Sequence, residues 1–207
     1  MTLRRVSRDS RGIAAVEFAF IAPLLIILAL ATADLVQFIR SQLRLDETAV
    51  QLGQLVSQCD SISAADEPQF WNFAQQIIGS LGQVTGPQAA GAVIISAVYL
   101  QTDPNKPNYN KNVVAWQVRT GNPKQGSSVG LQGGVANITE GFIVPSADTL
   151  LVTEVYLPLQ AWVFSAEFMG NVLAATLNGT TLYLTRASDA AAIWQNAPAG
   201  NQLACTK

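Results

Sequence analysis

The chain has no histidine among its 207 residues. That removes the commonest general base at neutral pH and the commonest zinc ligand. With them goes any Ser-His-Asp or Cys-His mechanism. Cysteine is nearly absent: Cys59 and Cys205 stand far apart and no CxxC pair exists, so neither a redox motif nor a zinc knuckle is on offer. Charge is scarce too, at 13% of residues, where about 25% is ordinary for a soluble domain. The acidic residues form no dense cluster that would suit calcium. Glu154 and Glu167 read as isolated, which leaves no carboxylate pair for hydrolysis. No catalytic residue, cofactor or metal is expected, and the chain does not read as an enzyme.

What the chain has in plenty is apolar surface, at 49% of residues. The length suits one ordinary domain plus a membrane element, and the domain is large enough to bury its own core. Formal charge is −2 overall, but residues 1–12 hold Arg4, Arg5, Arg8 and Arg11 against Asp9, a local +3. The remainder is left acidic, which argues against nucleic acid as a partner.

The run at 13–33, IAAVEFAFIAPLLIILALATA, carries a single charge, Glu17. About 20 apolar residues cross a bilayer's hydrocarbon core. The preceding arginines place that end in the cytoplasm and the rest of the chain in the periplasm or outside the cell. Pro23 interrupts the run, as prolines do in spanning helices whose freed carbonyls find other partners. Helical spacing continues past the membrane through Leu45, Ala49, Leu52 and Val56, with Leu35 and Phe38 on an adjoining stripe. The pattern predicts one helix over 13–58, about 69 Å long.

A second helix is predicted over 66–81. Asp66 is placed to cap it, Pro68 suits its first turn, and Phe70, Ala74, Ile77, Ile78 and Leu81 share a face that Gly82 ends. Beyond Gly91 the period becomes two. Residues 92–101 and 112–120 flank the turn-rich DPNKPNYNK and predict an antiparallel pair, with Val114, Trp116 and Val118 on one face. Residues 121–134, rich in Gly, Asn and Ser, read as an exposed loop. Further strands are predicted over 149–163 and 180–186, where Leu182 and Leu184 alternate with Thr181, Tyr183 and Thr185, and 164–177 reads as mixed. The fold class is therefore α+β: a long N-terminal helix, membrane-spanning in its first half, packed against an antiparallel sheet of about four strands with one short extra helix. The expected organisation is a basic leader at 1–12, the helix at 13–58 and a periplasmic or extracellular domain at 59–207.

The informative stretch is Arg11-Gly12-Ile13-Ala14-Ala15-Val16-Glu17-Phe18. A carboxylate inside a spanning segment costs about 2.5–3.5 kcal/mol on insertion scales, so its partner must be sought. A cut after Gly12 would create an α-amine on Ile13, one helical turn from Glu17. That amine, or the same amine on a neighbouring subunit, could pair with the carboxylate. The bland reading is that Glu17 reaches the cytoplasmic interface by itself. Ala31-Thr32-Ala33 is also an A-x-A site, and a secretory signal cut before Asp34 would look similar. Against it, the apolar run is long, a charge interrupts it, and helical periodicity continues through the supposed cut. Arg4-Arg5 is a weaker match to a twin-arginine signal, because polar residues follow it. Two Asn-X-Thr matches, at Asn137 and Asn178, are common by chance. If the domain is exported, one disulfide between Cys59 and Cys205 is the leading reading, with two buried thiols the alternative.

Residues 11–18 resemble the prepilin motif of the Tad (tight adherence, Flp-type) pilus system. The continuation through Pro23, Asp34, Arg40 and Leu43 is similar to TadE-like minor pilins, and DTLLVTEVYLPL at 148–159 loosely resembles the family's late strand. The resemblance implies cleavage by a prepilin peptidase between Gly12 and Ile13, and subunit docking through Glu17 and Phe18. It also implies partners: other Tad pilins and pseudopilins, the peptidase, an inner-membrane assembly platform and the lipid bilayer. A single-pass inner-membrane protein follows, with a role in pilus assembly and surface attachment. A signal-anchored binding or sensor module that never polymerises is the other reading.

Overall fold

In the computed structural model, residues 10–59, 62, 64–138, 141–158 and 176–185 are described. The first helix, α1, runs unbroken over Ser10–Ser57 with Pro23 inside it. The chain divides into two compact units, and the division falls within α1, between Ile39 and Arg40. In the first unit, the apolar side chains from Val16 to Ile39 are mostly exposed. In the second, Leu45, Ala49, Leu52 and Val56 are fully buried. The helical stripe read from the sequence is thus the part of α1 that enters the core.

The second helix, α2, spans Glu67–Ile78 and continues as a 3₁₀ turn over Gly79–Leu81. Asp66 holds the N-cap position, but its side chain makes no capping hydrogen bond because its backbone is already helical. The helix stops at Gly79, whose φ of 57° is left-handed, three residues earlier than Gly82. Phe70, Ala74 and Ile78 are its buried face.

Four strands follow: β1 (Ala92–Leu100), β2 (Asn112–Gly121), β3 (Thr149–Pro158) and β4 (Thr176–Thr185). They form one antiparallel sheet in the order β2-β1-β3-β4. The architecture is α+β, with a long helix, a short one and a four-stranded sheet, as the sequence predicts. β3 ends at Pro158, and the expected extension at 159–163 lies outside the described residues. β4 starts at Thr176, within the stretch read as mixed.

Register corrects one detail of β2. Ala97 pairs with Trp116 and Val98 with Val114, which leaves Ala115 as a bulge. The extra residue flips the alternation, so Val114 lies on the opposite face from Trp116 and Val118.

The sheet buries both faces. On one, Gly179 and Thr181 of β4 meet α1: a Cβ at Gly179 would lie 2.7 Å from the Leu45 carbonyl, and one at Gly53 would lie 2.7 Å from Thr181. Gln42 donates to the Asn178 carbonyl at 2.8 Å and the Tyr183 hydroxyl donates to the Val50 carbonyl at 3.2 Å, fixing helix against strand. On the other face, Val98, Val114, Leu150 and Val152 pack with Val129, Ala136 and Val144. Those last three come from 122–148, so this segment is a covering layer. Residues 122–134 form the expected loop and are mostly exposed, with Val129 the exception; Gly134 and Val135 pair with the edge of β2, and Val129 and Ala136 turn inward. Leu182 and Leu184 stay about half exposed on the same side of β4, lining an apolar groove of about 400 Å³ with Ile138, Phe142 and Leu150.

Candidate functional site: the amino-terminal helix and a buried carboxylate

Gly12 and Ile13 fall in the first turn of α1, which starts at Ser10, and their side chains lie outside the described part. Glu17 and Phe18 follow on the same helix and are exposed. Among the described residues, no cation forms an ion pair with Glu17. Phe18, Phe20 and Leu24 expose two thirds or more of their surface. A soluble protein seldom leaves so continuous an apolar surface open. The helix is long and apolar enough to cross a membrane, and none of its most apolar stretch is buried. Cys59 is buried two residues past the end of α1. Cys205 lies outside the described residues, as does Glu167.

The match with known proteins falls on this helix. Residues 12–53 fit the model of the TadE-like protein family. The match lies within the N-terminal helix. The fit covers Gly12, Glu17, Pro23 and Arg40, on which the sequence resemblance rests in part, and does not reach 148–159. No curated protein and no solved structure matches the chain. Beyond the TadE-like segment, the sheet and its covering layer must be read from their own geometry.

That geometry contains one arrangement that the sequence reading passed over. Glu154, isolated from other acidic residues in the sequence, is fully buried on β3 and surrounded by donors. Its Oε1 accepts from the Ser128 backbone N–H at 2.8 Å, the Ser128 hydroxyl at 2.5 Å and the Tyr156 hydroxyl at 2.7 Å. Its Oε2 accepts from the Ser127 hydroxyl. Burying a carboxylate is costly unless hydrogen bonds replace its water, and here four donors do so. Tyr156 reports the setting: burial, and then the hydrogen bond to Glu154, push its phenol from 10.0 up to about 12. The available signal was the lone charge in TLLVTEVYLP, a strand otherwise free of charged residues.

Chemically this cluster is a latch. Both carboxylate oxygens hold Ser127 and Ser128 against the sheet. The carboxylate therefore anchors the covering layer, while the N-terminal helix carries the features that point to function.

Proposed function

We propose that the protein is a minor pilin or pseudopilin of a Tad-type surface pilus, cut by prepilin peptidase between Gly12 and Ile13. The observation that carries this is the TadE-like match at 12–53 on a helix that runs unbroken from Ser10 to Ser57. Its first unit offers lipid or neighbouring helices an apolar surface, and its second supplies buried residues to a folded domain. A leader at 1–12, a helix at 13–58 and a domain at 59–207 describe the working parts. The arginines of the leader orient the chain with its N-terminus cytoplasmic and its domain periplasmic.

In this reading Glu17 and Phe18 dock the subunit. The new amine of Ile13 offsets the carboxylate at the membrane boundary, within one chain or between neighbours. Partners are other Tad pilins and pseudopilins, the peptidase and the inner-membrane platform. No step of this function needs a catalytic residue in this chain.

N-terminal sequencing of protein purified from membranes is the test. Ile13 is expected as the first residue. Asp34 would mean that the apolar helix had been removed as a secretory signal, and the pilin reading would be wrong. Retained Arg4 and Arg5 would mark an uncut anchor carrying a binding or sensor module.

A further inference from the structure

We propose that Arg40 and Arg44 seat the headgroup of an anionic phospholipid in a groove between α1 and the end of α2. This rests on the membrane-anchored reading of α1. The groove holds about 690 Å³, within the roughly 300–1,000 Å³ usual for small-molecule sites. The two arginines line one wall one helical turn apart, with Leu43 beside them, and Ile77 and Leu81 line the other. Charged rim and apolar wall together match a phosphate joined to acyl chains.

The charge balance favours an anion. Glu47 also lines the groove and meets Arg44 at 3.8 Å, with both side chains about half exposed. Such a pair is weak. Among the described residues Arg40 has no ion-pair partner, so the groove keeps a net positive charge. Guanidinium groups are suited to phosphate because their planar donors can bind two oxygens at once.

Place along the chain points to lipid as the source of the phosphate. No lysine or arginine occurs between Arg11 and Arg40. Exposed Leu35, Val36 and Ile39 continue the apolar surface to the residue before Arg40. Arg40 stands about 10 Å of helix beyond Ala33, and its stem is long enough to reach back to the headgroup layer. Arginines here would hold the domain at the outer leaflet of the inner membrane until the subunit is drawn into a fibre.

The full chain, purified in detergent with equal parts phosphatidylglycerol and phosphatidylcholine, would be examined by native mass spectrometry. For one net positive charge, about fivefold more phosphatidylglycerol than phosphatidylcholine should be retained. The double variant Arg40→Gln/Arg44→Gln should abolish that preference. Both side chains are exposed, so circular dichroism should show the variant folded. No preference in the wild type, or an unchanged preference in the variant, overturns the proposal. So does a variant that keeps its lipid preference but loses cross-linking to a neighbouring subunit, since the groove would then seat protein. Alkaline extraction separates the two claims: release from the membrane would defeat the anchor itself, whereas retention without lipid preference defeats only the groove.

Discussion

Gly179 on β4 lies against the backbone of Leu45 on α1, leaving 2.7 Å between a Cβ built on the glycine and the Leu45 carbonyl. Backbone cannot swing aside as a side chain can. Gly179→Ala must therefore push helix and strand apart, and it should cost about 1–3 kcal/mol. Gly53→Ala meets only the side chains of Thr181 and Tyr183 and should cost less. Chemical denaturation of both variants in detergent checks the order; equal losses would show that helix and strand are not held this closely.

Glu154 supports a second prediction. Glu154→Ala leaves the buried Tyr156 hydroxyl and the partly exposed donors of Ser127 and Ser128 without their acceptor and should destabilise the domain by about 1–3 kcal/mol. Glu154→Gln keeps one oxygen for the three donors on Oε1 and should cost about half as much. Limited proteolysis gives an independent reading, because the latch pins Ser127 and Ser128. Cleavage within 122–138 should rise in the Ala variant, and an unchanged digestion pattern would deny the latch its role.

Tyr156 adds a pH dependence of known sign. Its phenol titrates at about 12 in the folded chain against 10.0 when unperturbed, so between these values the folded state holds the proton that the unfolded state has lost. Stability should be intact below pH 10 and fall as pH rises toward 12, by at most about 1.4 kcal/mol per pH unit. Tyr156→Phe should flatten that part of the curve. A slope unchanged in the variant would assign the loss to other groups.

Much of the architecture was legible because periodicity is written locally. The spacing of Leu45, Ala49, Leu52 and Val56 and the alternation along β1 and β3 need no distant partner to be recognised. The covering layer was not legible for the opposite reason. Val129 stands alone between Ser128 and Gly130, while Ala136 and Val144 follow the apolar residues Val135 and Ile143, which stay exposed, so only pairing with β2 and the Glu154 latch distinguishes the ones that turn inward. The bulge at Ala115 likewise has no local mark, yet it decides which face Val114 takes. In β4 two of the three buried positions, Gly179 and Thr185, are small or polar and the third, Leu177, stands near the strand's start, so the eye goes to Leu182 and Leu184, which point away from α1. At the amino terminus the position is reversed: Gly12, Glu17 and Phe18 stand out in sequence, while a single chain provides no neighbour for them to touch.

The proposed bond between Cys59 and Cys205 would tie the end of α1 to the C-terminal tail. It is supported by the burial of Cys59 and by the lack of a free cysteine among the described residues. A loop this long is worth roughly 4–5 kcal/mol in the chain-entropy model. Mass spectrometry of periplasmic protein without reductant should show a molecule two hydrogens lighter, resistant to alkylation until reduced. Two thiols that alkylate at once would rule the bond out.

The docking role of Glu17 can be separated from its role in insertion. Removing a carboxylate from a spanning helix relieves an insertion cost, so Glu17→Val should reach the membrane at least as well as the wild type. The domain starts well beyond it and should fold unchanged. What the variant lacks is the charge that pairs with a neighbour's α-amine, so incorporation into pili should fall about tenfold or more, in keeping with the roughly 1.5–3 kcal/mol usual for hydrogen bonds to charged groups. Glu17→Asp, which retains the charge on a shorter stem, should recover part of the loss. Quantitative blotting of membrane and sheared-pilus fractions reads both quantities together. If the Val variant is as abundant in pili as the wild type, the carboxylate takes no part in assembly, and Phe18 with the surrounding apolar surface must dock the subunit alone.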